Sequence, residues 1–200
     1  TLSGRRLARW AVDLDHVTRL TDVAAITSFA IGDDALAIAH GTAVSWLARG
    51  DGAVIATRDV GDKVKSIALD RAATRVVWSA DHAGVLGVAT LPGLLPLTGP
   101  ALLYSRRLAI TDAGRVVALP YRPGLWVGDS DGAIFGDEAW VDLAVRGELA
   151  AVLGVEDEAV LFDLGATPRE LARCPVADPA ALALTPDGAR FVVAAVDGVS

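Results

Sequence analysis

The sequence predicts an all-β protein assembled from about five copies of one four-stranded unit, each roughly 38 residues long. Three observations predict it: a short apolar strand that recurs along the chain, a Trp-led hairpin that repeats without a gap, and the lack of any long stripe of 3.6-residue period. The recurring strand reads Ser28-Phe29-Ala30-Ile31, Ser66-Ile67-Ala68-Leu69, Arg107-Leu108-Ala109-Ile110, Asp142-Leu143-Ala144-Val145 and Ala181-Leu182-Ala183-Leu184. Anchored on Phe29, Ile67, Leu108, Leu143 and Leu182, the copies are spaced by 38, 41, 35 and 39 residues.

A turn and a second, more continuous apolar strand follow each anchor strand. Thr185-Pro186-Asp187-Gly188-Ala189-Arg190 leads into Phe191-Val192-Val193-Ala194-Ala195, and Thr111-Asp112-Ala113-Gly114-Arg115 leads into Val116-Val117-Ala118-Leu119. Pro and Asp-Gly set the backbone for a tight turn, and a run rich in β-branched residues suits a strand buried on both faces. The third strand opens a hairpin that occurs twice: Trp46 to Ile55 lies over Trp126 to Phe135 at an offset of 80, with Trp, Asp-Gly, Ala and two apolar residues coinciding. Asp-Gly tolerates the positive φ angles that such a turn demands. Third strands are also expected at Val160-Leu161-Phe162-Asp163-Leu164 and at Leu7 to Leu14. The distances from Trp10, Trp46, Trp126 and Phe162 to the next anchor are 19, 21, 17 and 20.

A chain of this kind reads as a β-propeller of four-stranded antiparallel blades, and it resembles WD40 repeat proteins over essentially its whole length. Phe162-Asp163 stands where that family has Trp-Asp, while Trp10, Trp46 and Trp126 occupy the same strand without a following Asp, and the family's Gly-His pair has no counterpart. Repeats start near residues 26, 64, 105, 140 and 179, with residues 1–25 completing a blade. Residues 1–200 then form a single propeller domain, a closed five-bladed ring or an arc of a larger one. The chain opens at Thr1 and contains no Met, which reads as a piece of a longer protein.

Composition narrows the function classes. Hydrophobic residues make up 52% and charged residues 22%, with mean hydropathy +0.43, so the chain is built to bury a core. A net charge of -7 opposes nucleic acid or an anionic membrane as partner. Ala83 to Ser105 is uncharged and long enough to span a bilayer, but Pro92, Pro96 and Pro100 would break a helix there turn after turn. The single Cys174 rules out an internal disulfide framework and fits a reducing, cytoplasmic setting. Arg outnumbers Lys 16 to 2, the usage of a GC-rich bacterial source.

Local motifs for chemistry give way to plainer readings. Asp129, Asp131, Gly132, Ile134 and Glu138 match places in an EF-hand loop, but Val127 at its first place cannot ligate calcium, and the hairpin copy at Asp51-Gly52 explains the motif as a turn. Arg49-Gly50-Asp51 spells an adhesion tripeptide on a hairpin tip. His16, His40 and His82 lack metal-binding spacing, and no nucleophile elbow, phosphate loop or dinucleotide fingerprint is present. No catalytic residue, metal ligand or cofactor is therefore assigned. The Trp residues are assigned to packing, and Arg5-Arg6 and Arg106-Arg107 to solvated surface.

The resemblance implies that loops joining second to third strands and loops joining blades share a partner-binding face. Those loops carry His82, Tyr121, Arg122, Glu156 and Asp157, with Asp62 and Lys63 at a blade junction. Tyr121 and Arg122 lead, because aromatic and Arg side chains are enriched at binding hot spots. The expected function is a non-catalytic scaffold for another protein or another domain of the same chain. The rivals are a propeller accompanying a prolyl-oligopeptidase-like hydrolase, and a propeller binding a small ligand or metal in its channel, for which Asp142 is the one inward carboxylate among the first strands.

Overall fold

The computed structural model describes residues 2–3, 6–12, 17–24, 26–81, 86–93, 95–97, 105–128, 132–185, 187–195 and 198–199. The chain divides into two compact units, Thr1–Gly99 and Pro100–Ser200. Among the described residues every regular element is a strand and all pairing is antiparallel between chain neighbours. In the first unit, Leu2–Ser3 (β1), Arg6–Val12 (β2) and Val17–Ala24 (β3) form sheet I. Ile26–Ile31 (β4), Ala35–His40 (β5), Ala43–Ala48 (β6) and Val54–Asp59 (β7) form sheet II, and Val64–Leu69 (β8), Arg75–Ala80 (β9), Leu86–Thr90 (β10) and Leu95–Leu97 (β11) form sheet III.

In the second unit, sheet IV consists of Ser105–Ile110 (β12), Val116–Pro120 (β13), Leu125–Gly128 (β14) and Ala133–Phe135 (β15). Sheet V consists of Trp140–Arg146 (β16), Leu149–Gly154 (β17), Glu158–Asp163 (β18) and Arg169–Pro175 (β19). Pro179–Leu184 (β20), Phe191–Ala195 (β21) and Gly198–Val199 (β22) form sheet VI. The segment checked for a membrane span contributes β10 and β11, and among the described residues no helix is long and apolar enough to cross a membrane.

Phe29, Ile67, Leu108, Leu143 and Leu182 each occupy the fourth place of the first strand of their sheet. Every one of those strands also carries a bulge that the sequence did not announce. Register slips by one between the first and third residues, leaving Thr27, Lys65, Arg106, Val141 and Ala180 as the extra residue. A bulge bends the strand and re-aims the side chains beside it, so one end of each sheet is shaped alike whatever residue fills the place.

The turns between first and second strands follow the expected chemistry. Thr111 N–H donates to Arg115 O, Gly114 N–H to Thr111 O, and Arg115 N–H to the Thr111 hydroxyl; Thr185, Gly188 and Arg190 repeat the three bonds. Gly114 and Gly188 hold φ of 82° and 71°, a region glycine enters without cost. The third-strand aromatics do not share one place. Trp126 pairs through Ala118 to Leu108, Trp46 through Ala37 to Ala30, and Phe162 through Ala150 to Val145, so each sits one step along the ladder from the next. Side chains alternate faces at each step, which puts Trp46 on the opposite sheet face to the other two.

Within each unit, sheets II and III, IV and V, and V and VI pack face to face. Ala37, Ala39 and Val44 of sheet II meet Val64, Ile67, Leu69 and Trp78 of sheet III. Val117, Leu119, Leu125 and Val127 of sheet IV meet Trp140, Val152, Val160 and Phe162 of sheet V, whose other face sets Leu153 and Ala159 against Val193, Leu182 and Phe191 of sheet VI. Second strands are buried on both faces for this reason: all of β13 and nearly all of β5 and β17 are enclosed. The outermost strands β7 and β19 are largely exposed, and the charges of Arg169, Glu170 and Arg173 guard the edge of β19.

Polar ties join neighbouring first strands. Ser28 Oγ accepts the Ile67 N–H at 3.3 Å in the first unit. In the second, the Asp142 carboxylate accepts the Leu182 N–H at 3.2 Å and Arg107 Nε–H at 2.8 Å. The one acidic residue among the first strands is thus engaged in joining sheets IV, V and VI.

Candidate functional site

The bulged end of the sheets also carries the loops between second and third strands and the junctions between sheets, and backbone bonds sew these into rows. In the second unit, Gly124 N–H donates to Glu138 O at 2.8 Å, Val155 N–H to Ala139 O at 3.1 Å and Val176 N–H to Asp157 O at 2.8 Å. In the first, Val60 N–H donates to Thr42 O, Val64 N–H to Gly41 O and Asp81 N–H to Lys63 O. Tyr121, Arg122, Glu156 and Asp157 therefore stand in one row of the second unit, and Asp62 and Lys63 in the corresponding row of the first. His82 follows Asp81 and lies outside the described residues.

In sheets III and IV two side chains face one another at this end, one from the bulge of the first strand and one from the first residue after the second strand. In sheet III these are Lys65 and Asp81, an ion pair at 3.2 Å. In sheet IV they are Arg106 and Tyr121, with the guanidinium carbon 4.7 Å from the ring centre. Sheet V has Val141 and Val155; in sheet II, followed by Gly41, Thr27 spends its hydroxyl on the carbonyls of Ala39 and Val64. The backbone is constant and the chemistry varies. Tyr121 and Val155 are 57% and 55% exposed, unusual for large apolar side chains, and they occupy the same place in adjoining sheets.

Tyr121 is among the residues that the sequence nominates, whereas Arg106, opposite its ring, and Val155, at the same place in sheet V, are not. The register relates them: the bulge residue stands two before the anchor in all five strands, so Arg106 is to Leu108 what Lys65 is to Ile67.

Charges at this end are braced by local bonds. Asp59, which closes sheet II, has its carboxyl held below the usual carboxylate range by the Gly61 N–H and then by the Thr42 hydroxyl. A group whose folded pKa is lowered adds stability above its unfolded pKa and loses it as pH falls through the folded value. Urea denaturation should therefore show a fall in stability below about pH 4, the ordinary carboxylate range, and Asp59→Asn should show a smaller fall. Identical acid limbs in the two proteins would contradict this. Arg173 binds Glu138 at 2.9 Å, Glu158 at 2.6 Å and Glu170 at 2.8 Å, which holds the guanidinium pKa above its ordinary value and the Glu170 pKa below.

The remaining motifs resolve as structure. Glu138, the twelfth place of the calcium-loop reading, is engaged by Arg173, and residues 129–131 lie outside the described residues. Among the described residues no three His, Cys, Asp or Glu side chains converge as a metal site. Arg49 of the adhesion tripeptide donates from Nη1 to the carbonyls of Gly32 and Asp33, at 3.3 Å and 2.8 Å, so its charge is tied to the neighbouring turn. His40 Nε2, Ser45 Oγ and Thr57 Oγ1 form a hydrogen-bonded line at 2.8 Å and 2.7 Å. Ser45 is 3% exposed, so the line joins β5, β6 and β7 and does not present a nucleophile. His16 lies outside the described residues, and Cys174 packs half-buried against the core shared by sheets V and VI.

No family model and no curated protein matches the chain. Solved structures do. A functionally unknown protein from Desulfotomaculum acetoxidans superposes with a TM-score of 0.77 over 96% of this chain and 69% of its own, at 12% identity. PorZ, an essential bacterial surface component of the type-IX secretion system of Porphyromonas gingivalis, superposes with a TM-score of 0.68 over 92% of this chain at 16% identity. The chain spans 26% of the PorZ chain, and at these identities the likeness is one of fold.

Proposed function

We propose that the chain is a WD40-like β-propeller, or an arc of one, that serves as a non-catalytic platform for another protein or another domain of its own chain. The successive four-stranded meanders and their face-to-face packing support the propeller. The arc reading draws support from the D. acetoxidans chain, which extends beyond the 69% that is matched here. The observation that carries the binding role is the variation at two fixed places of a repeated frame, with exposed Tyr121 and Val155 set beside Arg106, Arg122, Glu156 and Asp157. A rigid frame displaying aromatic and Arg side chains presents anchors at low ordering cost.

The test compares the two ends of the sheets. Tyr121→Ala with Arg122→Ala should weaken binding of a captured partner by ~30-fold, the loss of one hot spot. Arg190→Ala, in the turn at the other end, should change it by less than ~2-fold, as ordinary surface substitutions do. The reverse pattern at unchanged melting temperature would refute the platform.

A further inference from the structure

We propose that Arg106 is a carboxylate-binding position, which takes the side chain of an Asp or Glu on the protein partner. This deepens the platform reading and rests on it.

The repeat provides an internal control. Lys65 and Arg106 are both bulge residues, and each faces the first residue after the second strand of its own sheet. Lys65 finds Asp81 there, at 3.2 Å, and is neutralised within the sheet. Arg106 finds the ring of Tyr121 instead. The cation has been kept and its carboxylate replaced.

A cation over an aromatic face is held in place without any N–H being spent on it. One of those donors is conspicuously unused: Arg106 Nε is enclosed and has no hydrogen-bond partner among the described residues. With Nε enclosed, the Nη groups are the donors left for an incoming carboxylate, whose oxygens suit a guanidinium. By contrast, Arg71, Arg107, Arg115, Arg169 and Arg173 each face a carboxylate.

The surroundings select among anions. Arg122, the next residue along the loop from Tyr121, adds a second exposed cation. Glu156 and Asp157 stand in the same row, and the chain carries a net charge of -7. These charges penalise a dianionic phosphate or a polyanion more than a single carboxylate.

The experiment follows the arginine side-chain Nε–H resonances by NMR at constant ionic strength. Acetyl-glutamic acid amide, which bears one side-chain carboxylate, is titrated in; acetyl-glutamine amide is the neutral control, and inorganic phosphate the competing anion. The Arg106 signal should shift saturably with the glutamate compound, and more weakly or not at all with the other two. Tyr121→Asp rebuilds the Lys65–Asp81 arrangement and should weaken binding by ~10-fold or more relative to Tyr121→Asn, which lacks the charge. Tyr121 is exposed, so both variants should melt as cooperatively as the parent protein.

No saturable shift, an equal shift with the neutral amide, tighter binding of phosphate, or equal binding by the Asp and Asn variants would overturn the assignment. The titration uses no protein partner. Its failure leaves the platform standing, whereas the platform fails when the Tyr121 and Arg122 substitutions leave partner binding intact.

Discussion

Trp140→Ala is expected to cost about 3–5 kcal/mol of unfolding free energy, the range for a buried Trp cut back to a methyl group. Trp140 opens β16 opposite Gly154 and is 3% exposed. Its ring meets Phe162 edge to face, with centroids 6.1 Å apart at 82°, inside the core that joins sheets IV and V. Removing it empties the contact between two sheets rather than loosening one. Trp140 Nε1 is buried and has no hydrogen-bond partner among the described residues. Trp140→Phe removes that donor and only part of the ring, so the smaller cavity should cost about 1–2 kcal/mol, less than the alanine change. Urea denaturation separates the two variants. An alanine cost below about 1 kcal/mol, the mean for any point substitution, would show that sheets IV and V do not pack through this residue.

Gly87→Ala is expected to destabilise by about 3 kcal/mol or more, the upper part of the range for overpacking. Gly87 pairs across strands with Trp78, and a Cβ there would lie 2.0 Å from Trp78 Cε2 and 2.3 Å from Cζ2. The indole cannot retreat, because it is enclosed with Val64, Ile67 and Leu69 between sheets II and III. The glycine is needed as space for a ring to lie over a strand. Gly50→Ala is the control: a Cβ there meets nothing within 4 Å, and its cost should stay within about 0.5 kcal/mol. A combined Gly87→Ala, Trp78→Leu protein should be more stable than the sum of the single losses predicts, since the smaller side chain makes room for the added methyl. Additive losses would show that the clash does not set the cost.

The strand plan was legible because it rests on local chemistry. Thr185 to Arg190 and Thr111 to Arg115 close their turns with matching hydrogen bonds, and Asp51 caps the Arg49 to Ala53 hairpin by accepting the Ala53 N–H at 2.9 Å. The bulge was not legible, because an extra residue defined by backbone register has no side-chain requirement, and Thr, Lys, Arg, Val and Ala all fill it. The overlay of Trp46 on Trp126 failed by one ladder step for a related reason. Bulk apolar side chains fit either face of a sheet buried on both sides, so identity at an offset of 80 does not fix register.

At the candidate site, Tyr121 was legible as an aromatic directly after a buried strand. Arg106 was hidden by its neighbour Arg107: a pair of arginines reads as one solvated patch, yet the bulge sends Arg106 to Tyr121 and leaves Arg107 to Asp142. Asp142 is the converse case, for its position among the first strands was visible while its bonds to Arg107 and Leu182 depend on neighbouring sheets far away in sequence.

Site-specific photo-cross-linking in the producing cell tests the platform most directly, with a photoreactive phenylalanine placed singly at Tyr121, at Val155 or, for comparison, at Asp187 in the turn at the other end of sheet VI. One discrete protein adduct, or an intramolecular link to another domain of the parent chain, is expected from Tyr121 and Val155 and none from Asp187. Adducts from Asp187 alone, with the bulged end silent, would contradict the platform.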